Sequence, residues 1–380
     1  MKFMQPFDIT NNQILLIKAA IFPVEEALPC WEKWCANQQL TDPALLDDGK
    51  LLPRIFDTID MGSIRLMPMV YRNLEKTQDP FVPQLRRIYR NTWSKNQYAL
   101  QKVNKAIEAL QAAGIETMLL KGLAMGLVYY KDMGVRLTSD GDVLVSTKDL
   151  ARALEVLAKT TQGYKVASLD KSMKAYIHAA HLFSLDNFDF DIHWHLLFFN
   201  RTPEADAPFW QHKRHYLING NTPTTILSPT HQVLHNLVHG NFPDVQVPIR
   251  WVADCYVIYQ NYEIDWLEIL NMAEERRFLV PVMEGIRLLR QEFKLKLQPV
   301  VLDRLRQLKP IATESAYHSF LKKNMSKTSV PTKAFRFYHK SRFEYELYHA
   351  QYYQEPYFKY ATRKLFARSY AYVVSQFSGK

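Results

Sequence analysis

The apolar positions of this chain change period twice. Over the first hundred residues they recur at spacings of three and four, in runs from Trp31 to Leu45, Ser63 to Glu75 and Phe81 to Gln111, with Pro43, Pro53, Pro80 and Pro83 breaking them. Such spacing predicts amphipathic helices. In the third run Val103, Ile107 and Leu110 form one stripe, and Gly114 stands where a left-handed C-terminal cap is expected. The period then shortens. Ile115 to Leu120 is apolar without a helical repeat and predicts a strand, followed by Lys121-Gly122 and a helix-like stretch from Leu123 to Tyr130. Asp142 to Val145 predicts a second strand, opened by Ser139-Asp140-Gly141, and Leu150, Ala153, Leu154 and Leu157 predict a short amphipathic helix. The runs His181 to Leu185 and Phe188 to Leu196 flank Asp186-Asn187, a two-residue hairpin turn. After a turn-rich stretch, Asn219 to Pro223, helical spacing returns from Pro229 to about Leu308. There Ser228 supplies the cap and Pro229 the first helical position.

Strands that alternate with helices and close on a hairpin predict an α+β fold, a small mixed sheet embedded between helical segments. The expected divisions are 1–111, an N-terminal helical region; 112–215, the core; 216–325, a C-terminal helical region; and 326–380, a tail. No internal repeat interrupts this order.

Composition narrows the class. Of 380 residues, 47% are hydrophobic and 23% charged, which excludes disorder or a fibre as a description of the whole chain. No apolar run approaches the ~18–20 residues of a membrane span. The N-terminal MKFMQPFDIT lacks the features of a secretory signal, and three scattered cysteines make no disulfide framework, so a reducing cytoplasm is the expected location. The net charge of +10 is uneven: Lys322 to Lys380 holds 12 Lys/Arg against 3 acids, leaving a body of net charge +1. That last segment also carries 15 Phe/Tyr. Interleaved basic and aromatic groups suit single-stranded nucleic acid or tRNA, and equally an anionic membrane surface. A third reading is a helix docked on the core, since Phe358, Ala361, Leu365, Arg368, Ser369 and Tyr372 approximate helical spacing.

The chemistry-bearing residues follow from alternation. Residues two apart share a strand face, so Asp140 and Asp142 project together, and so do Asp189, Asp191, His193 and His195. Four ionisable groups along one face need water, hydrogen bonds or a metal. Converging carboxylates can hold a pair of Mg²⁺ ions roughly 3.5–4 Å apart for in-line phosphoryl chemistry. Lys121-Gly122, directly after a strand and opening a helix, offers backbone N–H groups and one ammonium to a phosphate.

The ordered strings Ala113-Gly114-Ile115, Leu119-Leu120-Lys121-Gly122, Val135 to Val145, Asp191-Ile192-His193-Trp194, Leu234 to His239 and Arg250 to Asp254 carry a resemblance. Over about residues 30–290 the chain resembles the bacterial uncharacterised nucleotidyltransferases of the polymerase-β-like superfamily. Gly141 stands where that family usually has an apolar residue, and the tail has no counterpart there. The resemblance implies transfer of a nucleoside monophosphate from an NTP, with Mg²⁺ or Mn²⁺ and release of pyrophosphate. The acceptor is a small molecule, a sugar-phosphate, a protein or tRNA. It assigns Asp140 and Asp142 to both metals, Asp191 to the metal beside the attacking hydroxyl, and Lys121, Gly122 and Ser139 to the nucleotide. Arg136 it assigns to charge on the leaving group, while Asp189 supports Asp191 or faces water.

Two other classes share these residues: a catalytically silent binding module of the same fold, and a metal-dependent phosphohydrolase. Histidines offer further combinations. His178, His181, His193 and His195 with Asp191 would make a zinc hydrolase site but leave Asp140 and Asp142 unexplained. His231, His235 and His239 line one helix face. There a zinc site competes with packing of His239 against the Arg250–Asp254 helix and with a contact to the active site.

Overall fold

The longest helix among the described residues forms over a stretch with many good helix formers. Val82–Ala112 runs for 31 residues, with Pro83 in its first turn, where a missing N–H leaves no bond unmade. Its inner face carries Leu85, Asn96, Leu100, Val103, Ile107 and Leu110, and Gly114 takes the left-handed conformation that ends it, with φ +69°. In the computed structural model this helix packs on a mixed sheet. The structure describes residues 9–40, 59–138, 140–166, 177–197, 202, 204–241, 249–324, 329–349 and 356–366.

Among the described residues the sheet has seven strands: β1 (Met118–Leu119), β2 (Gly141–Leu144), β3 (Lys165–Val166), β4 (Ala179–Phe183), β5 (Asp189–His193), β6 (Arg214–Ile218) and β7 (Thr222–Ile226). Their order is β3-β4-β5-β2-β1-β7-β6, with β2–β5 and β1–β7 parallel and the other neighbours antiparallel. The predicted β4–β5 hairpin is present, and Asn187 at its turn has φ +58°. The stretch expected as one helix from Leu123 to Tyr130 is an α-helical turn, Lys121–Ala124, continued by a π-helix, Met125–Tyr130.

Two expectations are corrected. The turn-rich stretch after Ile218 closes a β6–β7 hairpin, so the sheet runs on to Ile226, past the boundary expected at 215. Its turn holds Asn219 and Gly220, with φ +52° and +79°. Both strands escape notice because β6 is mostly exposed and β7 is rich in threonine, which blunts the apolar alternation. The second concerns the tail. Helix 357–366 docks through Tyr360 and Lys364 on the buried Glu344, whereas Phe358 is 80% exposed and Leu365 51%. The predicted stripe therefore faces outward; Arg368, Ser369 and Tyr372 lie outside the described residues.

Around this core sit helices Asn11–Ile21 and Val24–Asn37, where Trp31 stacks on Trp34, and helices Pro229–Gly240, Arg250–Asn261, Trp266–Glu275 and Leu279–Glu292 on the C-terminal side. Ser228 caps the first of these, accepting a bond from the His231 amide. Among the described residues no helix is long and apolar enough to cross a membrane.

Gly141 has a packing reason. A Cβ there would come within 2.3 Å of Val103 Cγ2, so the glycine lets the long helix lie against the first residue of β2. Gly141→Ala is expected to destabilise the protein by about 1–3 kcal/mol. Adding Val103→Ala should remove part of that clash, making the double variant more stable than the two single losses predict. Denaturant titration of the three variants checks this, and strictly additive losses would contradict it.

Candidate functional site

Pairing brings the acidic residues together. In the parallel β2–β5 ladder Asp142 stands directly opposite Asp191 and Leu144 opposite His193. On the other side β1 pairs with β2, and the Leu120 amide donates to the Asp142 carbonyl at 3.0 Å. The next residue, Lys121, thus leaves β1 beside Asp142. Its Nζ lies 2.5 Å from Asp142 Oδ1 and 3.4 Å from His193 Nε2, and His193 Nε2 is 2.9 Å from the same Asp142 oxygen.

The electrostatics follow from burial. Asp142 is 2% exposed, which opposes its charge, but Lys121 and His193 outweigh that and hold its carboxyl well below the usual range. Burial likewise works against the Lys121 ammonium; Asp142, reinforced by Asp140 and Asp191, more than compensates and raises its pKa. Asp191 is bonded by His181 Nδ1 at 2.6 Å, and Asp189 lies 3.6 Å from the same imidazole. Asp142, Asp191 and His193 each present a ligand atom within 4.8 Å of the others'.

A polar scaffold holds Lys121 in place. Lys121 has φ +47°, a left-handed conformation that costs a residue with a Cβ roughly 1–2 kcal/mol. At Gly122 a Cβ would meet Thr138 Oγ1 at 2.3 Å and Arg136 Nη1 at 2.9 Å, so the glycine makes room for the 136–138 loop. Buried Asn96 organises that loop by donating to the carbonyls of Met133 and Arg136 and accepting from the Thr138 amide. Arg250 bonds the Leu137 carbonyl at 2.5 Å. Arg136 is engaged by Asp254 through Nε and Nη2, and Tyr130 donates to Asp254 at 2.8 Å.

Of the residues singled out in the sequence, Asp140, Asp142 and Asp191 all come into electrostatic reach of Lys121. Ser139 lies outside the described residues. Arg136, assigned by resemblance to leaving-group charge, has two of its nitrogens committed to Asp254, and only Nη1 is turned towards Gly122. His195 is off the strand and bonds Asp206. His235 and His239 stack at 5.5 Å, while His231 bonds Glu268. Burial, then His239 and Lys121, hold the His235 pKa well below its ordinary value, so a neutral imidazole lies within electrostatic reach of Lys121. His193 is the functional candidate that the carboxylate pattern alone does not single out. Alternation puts it on the face of Asp191, but only the β2–β5 register brings it to Asp142.

A family model described as uncharacterised nucleotidyltransferase matches residues 63–294 of this chain. The chain is also similar to the crystal structure of an antigenic nucleotidyltransferase-like protein from Paracoccidioides brasiliensis, at 14% identity and a TM-score of 0.32 over 56% of this chain and 94% of that one. No curated protein matches it.

The buried pair sets a pH dependence. The Asp142 carboxyl titrates lower folded than unfolded, where it is ~3.9, so its stabilisation is present above that pH and lost as pH falls. Asp142→Asn should lower stability at pH 7 by about 2–4 kcal/mol, because the partly buried Lys121 is left without its counter-charge. The variant should also lose less stability than the wild type on acidification below about pH 4. Denaturant titrations across that range test both, and equal acid losses in the two proteins would contradict the assignment.

Proposed function

Since the chain belongs to the uncharacterised nucleotidyltransferase family, we propose that it is a metal-dependent nucleotidyltransferase, moving a nucleoside monophosphate from an NTP to an acceptor and releasing pyrophosphate. The observation carrying this reading is the in-register pair Asp142 and Asp191, with Lys121 bonded to the first of them. Two carboxylate oxygens and one imidazole nitrogen within 4.8 Å suit a divalent ion, and the imidazole makes Mn²⁺ at least as apt as Mg²⁺. Asp142, Asp191 and His193 would hold it, with Asp140 adding charge nearby. Such an ion, when bound, neutralises phosphate charge.

The remaining work falls to this chain's own groups. Lys121 is placed to pair with triphosphate oxygens, an electrostatic role that matters most where water is sparse. Asp191, half-buried and bonded by His181, is positioned to accept the proton of an attacking hydroxyl, and His181 orients it. Asn96, Arg250 and the Arg136–Asp254 pair fix the loop that carries Asp140. A small molecule, sugar-phosphate, protein side chain or tRNA remains the acceptor class, and the division into a catalytic core, flanking helical regions and a cationic tail that recruits it belongs to the same proposal. The tail's outward Phe358, Leu365 and Phe366 give it a surface suited to that role.

Purified protein incubated with α-labelled NTPs and Mg²⁺ or Mn²⁺ should transfer label to a component of a matching lysate. Asp191→Asn, whose side chain is not fully buried, should cut that transfer by at least a hundredfold. Unchanged transfer in the variant would overturn the site. Release of inorganic phosphate in place of pyrophosphate would point to a phosphohydrolase. Metal-independent NTP binding without turnover would identify a silent binding module.

A further inference from the structure

A second cluster of metal-ligating side chains lies on a different set of elements. His212 caps the C-terminus of helix Ala207–Gln211, His231 sits in the first turn of Pro229–Gly240, and Glu268 in the first turn of Trp266–Glu275. Each offers a ligand atom, all within 4.8 Å of one another. His231 Nε2 is 3.0 Å from Glu268 Oε1, and the His212 and His231 rings are 5.5 Å apart.

The tautomer of His212 is fixed by its neighbour. Its Nδ1 lies 3.0 Å from the Pro208 carbonyl oxygen, which can only accept, so the proton is on Nδ1 and Nε2 keeps a free lone pair. This is the arrangement in which a metal-binding imidazole is held by a carbonyl on its far nitrogen. His231 is fully buried. The Phe209 ring packs edge-on against His231. His231 Nδ1 has no hydrogen-bond partner among the described residues. Moving the ring proton from Nε2 to Nδ1 therefore gives up only the bond to Glu268, which a shared cation would replace.

We propose that His212, His231 and Glu268 form a zinc-class metal site that ties the entry of β6 to two helices of the C-terminal side. Two imidazole nitrogens and one carboxylate oxygen are a zinc donor set, with water completing the tetrahedron on the exposed His212 side. Ligand atoms at about 2.0–2.1 Å from one zinc stand roughly 3.3–3.4 Å apart, so His231 and Glu268 are already close to that spacing. His212, exposed and at the end of a five-residue helix, supplies the adjustment that remains.

The test uses full-length, tag-free protein carrying Asp191→Asn, so that the nucleotide-site cluster contributes less to binding. Zinc titrated as the chloride should bind at one equivalent and raise the Tm, and Co²⁺ in its place should give the visible absorption of a tetrahedral site. Adding His212→Ala, an exposed position whose loss leaves the fold intact by circular dichroism, should weaken zinc affinity at least tenfold and abolish the Tm shift. Glu268→Gln should do the same. Absence of stoichiometric zinc, or undiminished affinity in both variants, would overturn the site.

Discussion

Removing a carboxylate from water costs several kcal/mol unless a partner of opposite charge goes with it, and Asp142 is a carboxylate with almost no exposure. Lys121 and His193 meet at its Oδ1 and keep it ionised. That contact dictates the conditions around it. Lys121 has to leave β1 level with Asp142, which the Leu119–Val143 pairing provides, and it does so in a left-handed turn. The residue after it has to be glycine, because the 136–138 loop fills the space a side chain would take. That loop is held from the long helix by Asn96 and from helix Arg250–Asn261 by Arg250 and Asp254. Both flanking helical regions therefore reach the site through hydrogen bonds as well as apolar packing.

Charge where the central strands β1, β2 and β5 meet is unbalanced in a useful direction. Asp140, Asp142 and Asp191 act on the ammonium of Lys121, and helix Pro229–Gly240 contributes His235, whose pKa burial holds well below its ordinary value. An excess of carboxylates attracts cations, while the body as a whole is close to neutral and the excess of positive charge lies in the tail. The two tendencies are separated along the chain.

What was legible in the sequence was whatever depends on local period. The alternation around Asp140 and Asp142 and along β5 places the carboxylates on a common face whatever the tertiary fold, and the Asp186-Asn187 turn fixes the hairpin that carries Asp191. What stayed hidden depends on pairs distant in the chain. Arg136 meets Asp254 118 residues away, and Gly141 is explained by Val103 on another element. His193 becomes a partner of Asp142 only through the parallel register of β2 with β5. The β6–β7 hairpin leaves little trace in the sequence for a different reason: a mostly exposed edge strand has little buried face to impose a period.

The position of Lys121 also constrains how the site would work under the proposed reading. An ammonium 2.5 Å from Asp142 Oδ1 is already serving as a counter-charge. It cannot give its full charge to a triphosphate while the buried carboxylate depends on it. Lys121 therefore becomes available to phosphate only when another cation satisfies Asp142, and the same side chain stabilises the protein before that exchange. A lysine in this place couples folding to ligand occupancy. His193 Nε2, 2.9 Å from the same oxygen, stays beside Asp142 as the ammonium turns away.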